Sequence, residues 1–277
     1  MAEATTLPFG RASLLRRVLD SSGLYRLIAL AVFAALWQIA TLDHKSLLIP
    51  TFTDTAAAIP RLLIGDDSAA LWAAMYNSNV PLVIGFALSL VLGIPMGLLI
   101  GRYSRIERFA SLYLNILLVT PMAAIIPLLV MAFGVRDGAL LSRVLLIIFF
   151  AIVMLIANSR AGVRQVDPAL IEMARCFGAG ELAIWRRILL PGSLPAVMTG
   201  VRLGLGRAIT GMVVIELLFL AIGVGNLIQK YDARFDGASL WALIIIIVFE
   251  ALVLIQAVRW AERKLAPWRT APNFGGR

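Results

Sequence analysis

The feature that most constrains this chain is a series of six apolar blocks, because roughly 20 apolar residues in a helix span the hydrocarbon core of a bilayer. Only 15% of the residues are charged and 61% are hydrophobic, whereas soluble domains are about a quarter charged. The pattern predicts an all-α membrane protein with six transmembrane helices. The predicted spans are Leu27–Leu42, Val80–Ile100, Ala110–Phe133, Leu140–Ala157, Leu194–Ile222 and Leu240–Trp260.

Basic residues predict the orientation of the spans. Seventeen of the 25 Lys and Arg residues lie in the two termini, the second-to-third loop and the fourth-to-fifth loop, and six lie on the opposite side. Because cytoplasmic loops carry the excess of Lys and Arg, both termini are predicted to be cytoplasmic. The expected organisation is a tail at 1–26, a transmembrane domain at 27–265 and a tail at 266–277. The first block is longer than the apolar region of a usual signal peptide, which favours a retained span.

Several functional classes are excluded by composition. The single histidine (His44) and single cysteine (Cys176) provide neither a metal-binding cluster nor an internal disulfide. No clustered acid–base set of the kind needed by a membrane enzyme is visible. The net charge of +9 would favour nucleic-acid binding in a soluble protein. Here the basic residues flank apolar blocks as in cytoplasmic loops, so we expect no nucleic-acid partner.

The basic loop between the fourth and fifth blocks has a helical pattern. Asp167 can cap a helix that begins at Pro168, and Gly178 and Gly180 can end it. Its apolar residues are spaced as one helix face: Leu170, Met173, Ala174 and Phe177. A second helical stretch, Glu181–Leu190, returns to the membrane. This arrangement suits docking into a groove of a partner, and a helix lying on the lipid surface is the alternative.

A motif with fixed gaps occupies the same loop. The residues are Glu172-Met173-Ala174, then Gly178, then Ile188-Leu189-Leu190-Pro191. The pattern resembles the EAA loop of ABC importer permeases, which reads Glu-Ala-Ala, three residues, Gly, nine residues, Ile, any residue, Leu, Pro. Met173 at the second position of the motif, in place of its first alanine, is the only departure.

The resemblance extends over most of residues 80–265, and the first eighty residues match less specifically. Other segments resemble permeases of the nitrate/sulfonate/taurine type: Leu88–Gly101, Ile126–Phe133 with Gly134, Arg164–Leu170, Gly200–Arg207 and Glu216. The resemblance implies the type I ABC importer permease fold with a cytoplasmic coupling helix, in the bacterial inner membrane.

The resemblance also implies a set of partners. A second permease copy would complete the pore, two separate ATPase subunits would bind ATP and Mg²⁺, and an extracytoplasmic binding protein would deliver the solute. Resemblance to the sulfonate-type systems favours a homodimer over a heterodimer. The chain has no P-loop sequence, so we expect it to be neither an enzyme nor a cofactor-binding subunit.

The resemblance assigns ATPase coupling to the loop at 164–191. The coupling residues are Glu172, Met173, Ala174, Arg175, Gly178, Ile188, Leu190 and Pro191. Within this set, the small residues Ala174 and Gly178 are expected to allow close approach of the partner's backbone.

Charged residues inside the apolar blocks are candidates for the translocation pathway, because intramembrane charges are costly and are usually functional or paired. The charged candidates are Glu216, Arg207 and Glu250, and the uncharged Phe219 is a further pathway candidate. Pairing with another helix is the alternative role of both glutamates. Arg202 can instead extend its side chain to the cytoplasmic face.

The resemblance implies that the substrate is a small organic anion such as a sulfonate or taurine, or the inorganic anion nitrate. The residues Phe219-Leu220-Ala221-Ile222 precede Gly223-Val224-Gly225, where relatives tend to have small or polar residues. This bulkier lining leaves an aromatic or heterocyclic solute as an alternative: a pyrimidine precursor, a flavin or an aromatic carboxylate. A tighter gate with no bearing on specificity would also explain it. A secondary transporter, a class that often has repeated halves, would leave the EAA-like loop unexplained.

Overall fold

The computed structural model describes residues 22–42, 49–134, 139–220 and 222–265, and nearly all of them are helical. Within these residues, four helices are long and apolar enough to cross a bilayer, and the number is up to six if each of two bent helix pairs counts as one span. The predicted all-α membrane fold is therefore confirmed. Most of the predicted tails at 1–26 and 266–277, together with His44, lie outside the described residues.

The helices are numbered here in chain order. They are α1 (Ser22–Leu42), α2 (Phe52–Ile64), α3 (Ser68–Arg102), α4 (Ser104–Val119), α5 (Ile126–Phe133), α6 (Ala139–Arg164), α7 (Pro168–Cys176), α8 (Glu181–Ile184), α9 (Leu190–Ile215), α10 (Gly223–Ala233) and α11 (Gly237–Leu265). A 3₁₀ turn, Met122–Ile125, joins α4 to α5. Two π-helical turns, Trp185–Leu189 and Glu216–Leu220, precede and follow α9.

Several predicted boundaries were wrong because helices continue beyond the apolar core. The second span begins at Ser68 instead of Val80. The fourth span continues past Ala157 to Arg164. The fifth span is preceded by helical residues from Glu181 and ends in a π turn before Ile222. Hydropathy identifies the membrane-embedded part of a helix, whereas the helix itself can extend beyond the membrane into water.

The third predicted span is not one straight helix. The chain bends by 93° between Ser104–Val119 and Met122–Phe133. Thr120 is extended (φ −64°, ψ 126°) and precedes Pro121, as expected because proline disfavours the helical conformation of the residue before it. Pro95, by contrast, lies inside the continuous helix α3. The bend places backbone without regular helical hydrogen bonds inside an otherwise apolar segment.

Helix α6 is packed between α3 and α9 through small residues on both neighbours. On α3 they recur every fourth residue: Gly85, Ser89, Gly93, Gly97 and Gly101. A Cβ atom at Gly97 would lie 2.6 Å from the Ile156 carbonyl oxygen, and one at Gly211 of α9 would lie 2.8 Å from the Phe150 ring. Since apolar helices gain no hydrophobic energy from leaving lipid, such close backbone approach supplies the van der Waals contact that holds the bundle.

We expect Gly97→Ala to destabilise the bundle by about 1–3 kcal/mol, because the added methyl group has to push α3 away from α6. Gly206→Ala is the matched control, since no atom lies within 4 Å of a Cβ placed there. The measurement is the midpoint of thermal unfolding in detergent. Equal midpoints for the two variants would contradict the close-packing role of Gly97.

Candidate functional site

The loop that carries the EAA-like motif contains the short helix α7, and local hydrogen bonds fix both of its ends. The Asp167 carboxylate accepts from the Ala169 amide at 2.9 Å, and Pro168 occupies the first turn. At the other end, the Gly178 amide donates to the Arg175 carbonyl and the Ala179 amide donates to the Ala174 carbonyl, each at 2.9 Å. Gly178 has a φ of +77°. This is the Schellman arrangement, in which glycine takes the left-handed position without steric cost.

The apolar residues of α7 divide between two faces. Ile171 and Ala174 pack toward a buried cluster that includes Ile184 and Leu189. On the neighbouring face of the helix, Leu170, Met173 and Phe177 are 46%, 52% and 85% exposed. The single apolar face predicted from the sequence is therefore wrong, because Ala174 points into the permease itself. Its small side chain lets α7 lie close to its own bundle and is not on the exposed face.

The exposed side of α7 also carries polar candidates. Glu172 and the thiol of Cys176 are exposed. Arg175, a predicted coupling residue, donates to the Glu181 carboxylate at 2.8 Å, and Arg102 at the end of α3 donates to the same oxygen at 3.0 Å. These hydrogen bonds, from Arg175 first and Arg102 second, lower the pKa of the half-exposed Glu181 carboxyl. The bridge is thus charged at neutral pH and links α7, α8 and α3.

A second ionic bridge lies at the same end of the bundle. Glu107, in the first turn of α4, contacts Arg160 at 2.5 Å and Arg164 at 2.6 Å. Both arginines belong to the last turns of α6, shortly before α7 begins. The starts of α4 and α7 are therefore both connected to the end of α6.

The second half of the motif forms the return from α7 to the membrane. The Leu190 amide donates to the Trp185 carbonyl, which closes a π turn just before Pro191. Ile188 and Pro191 are half-buried and Leu190 is exposed. Leu189, the variable position of the motif, is fully buried. The motif spacing did not predict that Leu189 is buried. Its position one helical turn after Trp185 and five residues after Ile184 was the sequence signal that could have indicated it.

Glu216 lies at the far end of α9 from this loop and is fully buried. Its carboxylate accepts from the Ser78 hydroxyl at 2.6 Å and from the Val224 amide at 3.1 Å, and Arg143 pairs with it at 3.3 Å. The Val224 amide belongs to the first turn of α10, where helix geometry favours an anion. Glu216 thus joins α3, α6, α9 and α10, and pairing is the role that the structure gives this pathway candidate.

The glycines after Glu216 leave room for its carboxylate. Gly223 has a φ of +60°, and a Cβ there would lie 2.2 Å from the Ser78 hydroxyl oxygen. Arg143 is one of the six Lys and Arg residues predicted on the outer side, and its pairing with Glu216 was not predicted. Arg143 lies within the predicted fourth span, where an arginine requires a partner, and this was the signal that could have found it.

The other intramembrane charges differ in their contacts. The Asn79 amide donates to Glu250 at 2.5 Å, so Glu250 faces a polar neighbour. Arg202 pairs with Glu262 of α11 and donates to the Thr199 hydroxyl. The side chain of Phe219 lies outside the described residues.

Arg207 is exposed and lines a cleft of about 330 Å³ between the bend after α4, α6 and α9. The other lining residues are Leu117, Leu118, Thr120, Pro121, Met122, Ala123, Phe150, Val153, Met154, Thr210 and Val214. The structure brings Arg207 together with neither Glu216 nor Glu250. Across residues 22–42, 49–134, 139–220 and 222–265, no group of three or more His, Cys, Asp or Glu side chains is placed to hold a metal ion.

Comparison with protein families gives a match over residues 89–267 to the family described as binding-protein-dependent transport system inner membrane component. A Bacillus subtilis protein named as an aliphatic sulfonates transport permease, SsuC, is 32% identical over 87% of this chain and 86% of its own length. The taurine transport system permease protein TauC of Escherichia coli is 27% identical over 84% of both chains. The formylaminopyrimidine transport permease protein ThiX of Halalkalibacterium halodurans is 30% identical over 67% of this chain and 73% of its own.

Solved structures share the fold. A chain of the methionine ABC transporter MetNI in an inward-facing conformation aligns with a TM-score of 0.54 at 19% identity, over 73% of this chain and 94% of that one. A chain of an amino acid ABC transporter aligns with a TM-score of 0.52 at 21% identity, over 69% and 94%. The predicted importer permease fold is thus confirmed.

We expect Arg143→Met to destabilise the protein by about 3–5 kcal/mol, because removal of one partner leaves the buried Glu216 carboxylate without its counter-charge. Arg61→Met is the matched control, since Arg61 is exposed on α2. Adding Glu216→Gln to Arg143→Met should recover part of the loss. The thermal midpoint in detergent tests this, and an Arg143→Met midpoint equal to that of the control would rule out the structural role.

Proposed function

The chain belongs to the family of binding-protein-dependent transport system inner membrane components, and from this premise we propose that α7 couples it to a separate ATPase. As a permease subunit of an ABC importer it is a transport protein and not an enzyme. Proteins of this family work with ATPase subunits and substrate-binding proteins.

The observation that carries the coupling proposal is the exposed apolar face of α7. Leu170, Met173 and Phe177 are exposed on a helix whose neighbouring face, with Ile171 and Ala174, is packed against the bundle. An apolar helix face of this kind fits a groove in a partner protein. Gly178 lies at the end of this face, and no atom lies within 4 Å of the position that a Cβ would occupy there. The space beside Gly178 is therefore open to the backbone of a partner protein.

Connections at both ends of α7 make it suitable as a lever. Its C-terminal end is connected through Arg175 and Glu181 to Arg102 of α3, and its N-terminal end follows α6 after three residues. Movement of α7 with an ATPase that closes on ATP would therefore be transmitted to α3 and α6. A rigid-body change of this kind would convert the bundle between inward-facing and outward-facing states.

The proposed assembly has two copies of this permease, two ATPase subunits and one extracytoplasmic binding protein, in the inner membrane. The Lys and Arg distribution supports an orientation with both termini and α7 in the cytoplasm. ATP and Mg²⁺ are assigned to the ATPase subunits. The remaining coupling residues, Glu172, Ile188, Leu190 and Pro191, keep their proposed roles at or beside this interface.

The proposed substrate is a small organic anion such as a sulfonate or taurine, or nitrate. The relatives named for aliphatic sulfonates and taurine support this class. A relative named for formylaminopyrimidine supports the alternative of a heterocyclic solute carried by the same machinery.

We expect Gly178→Asp to remain folded but to lose ATPase subunits and at least tenfold of its uptake activity. Open space surrounds this position, and aspartate is among the few residues that tolerate positive φ. Gly180→Asp is the matched control, because it adds the same charge two residues away at a helix N-cap position that suits aspartate. The measurement is co-purification of the tagged permease with the products of its chromosomal neighbours, followed by mass spectrometry.

Equal recovery of an ATPase with both variants would remove Gly178 from the coupling interface. A permease that purifies alone and moves solute in liposomes on an ion gradient would overturn the importer assignment in favour of a secondary transporter.

Labelling of Cys176 tests the orientation and the docking face together. It is the only cysteine in the chain and is exposed on the same side of α7 as Met173 and Phe177. A membrane-impermeant maleimide should react with it from the cytoplasmic side only, and bound ATPase should slow the reaction at least tenfold. Reaction from the outside only would show that the proposed topology is inverted.

A further inference from the structure

The cleft lined by Arg207 differs from the other charged sites of the bundle because no described residue pairs with its charge. Neither a hydrogen bond nor an ion pair reaches Arg207 from any residue that the structure describes. Arg202 and Glu216 on the same helical segment are both paired. Arg207 lies roughly 25 Å along α9 from Leu190, at about 1.5 Å per residue, so it is far from the cytoplasmic end. Intramembrane charges without a protein partner normally face a water-filled cavity.

The broken helix between α4 and α5 is a second, independent indication of a hydrated cavity. Thr120 and Pro121, which separate the two helical segments at the 93° bend, line the same cleft as Arg207, as do Met122 and Ala123 of the following 3₁₀ turn. Non-helical backbone at membrane depth is tolerated only where protein buries it or where it borders water. Arg207 and the bend therefore both indicate that the same cleft contains water, or a solute that replaces this water.

The lining restricts which solute can replace that water. The hydroxyl groups of Thr120 and Thr210 donate to backbone carbonyls one turn earlier, at 2.7 and 3.0 Å. Among the described side chains that line the cleft, Arg207 thus supplies the N–H donors, and its planar guanidinium suits a carboxylate or sulfonate. Most of the remaining wall is apolar, including Phe150 and Met154. The volume is at the small end of the range for ligand sites.

We propose that this cleft is a substrate-contact site of the translocation pathway, in which Arg207 holds the sulfonate or carboxylate group of a small organic anion and the apolar wall contacts its hydrocarbon part. The inference rests on the proposed function and narrows its substrate class. It favours an organic anion over nitrate, which has no apolar part, and over an uncharged heterocycle, which does not need the guanidinium.

Thiol chemistry in the cleft tests the proposal without knowledge of the natural substrate. In a Cys176→Ser background, Thr210→Cys places the only thiol beside Arg207. Its reaction rates with sulfonatoethyl methanethiosulfonate (anionic) and trimethylammonioethyl methanethiosulfonate (cationic) are measured on the full chain in liposomes. The ratio of the two rates cancels any change in thiol ionisation, because both reagents react with the same thiolate.

We expect Arg207→Met to lower the anionic-to-cationic rate ratio at Thr210→Cys about tenfold, since one positive charge at close range is lost. Arg207→Lys should keep most of the ratio, which guards against a folding defect in Arg207→Met. Butanesulfonate should slow labelling in the Arg207 protein but not in Arg207→Met. Thr53→Cys, exposed on α2, is the control thiol whose ratio should not depend on Arg207.

Three outcomes would each overturn the inference. The first is a rate ratio that neither Arg207→Met nor Arg207→Lys changes, and the second is a thiol that reacts with neither reagent. The third is the absence of protection by butanesulfonate. The last outcome would indicate that Arg207 binds a lipid phosphate and not a soluble anion. ATPase recovery from the same preparations is scored separately. If the ATPase is not recovered but the labelling of the cleft still depends on reagent charge, only the coupling proposal is contradicted. If the ATPase is recovered but the labelling does not depend on reagent charge, only the substrate site is contradicted.

Discussion

The close contact of α6 with α3 and α9 is the constraint on which the rest of the structure depends. Lipid offers apolar helices the same environment as a protein core, so the bundle is held by backbone approach across glycine and serine positions. The same helix carries Arg143 at its beginning, the cleft wall at Phe150 and Met154, and Arg160 and Arg164 at its end. Any displacement of α6 therefore reaches the buried charge cluster, the cleft and the start of α7 together.

The two ends of the bundle have opposite physical characters. At the far end, the Glu216 carboxylate is fully buried and each of its oxygens has a partner, so four helices are fixed by one group. At the other end, α7 is held by half-exposed ionic bridges and has an uncovered apolar face. Exposed ion pairs are weak and easily exchanged, whereas a buried pair is costly to break. The end proposed to bind the ATPase is thus the end that can rearrange.

The sequence predicted those features that depend on local signals. Apolar length predicted six spans, and Asp167, Pro168 and Gly178 predicted both ends of α7. The bend at Pro121 was not predictable, because Pro95 lies in a similar apolar run and is accommodated in a continuous helix. The pairing of Arg143 with Glu216 joins residues far apart in the chain and requires the packed bundle. The division of the apolar face of α7 likewise depends on which side the bundle covers.

Arg207 and Glu216 show why the pathway candidates could not be ranked from the sequence. Both are charges within one apolar block, roughly 13 Å apart along a helix that rises about 1.5 Å per residue. Packing satisfies Glu216 through Ser78, Arg143 and Val224, and its burial leaves no surface for a solute. Arg207 has no such partner among the described residues and faces a cleft. A charge without a protein partner at membrane depth is retained only if water or a ligand solvates it. Arg207, and not the better-satisfied glutamate, is therefore the group in this segment to which we assign the proposed contact with a solute.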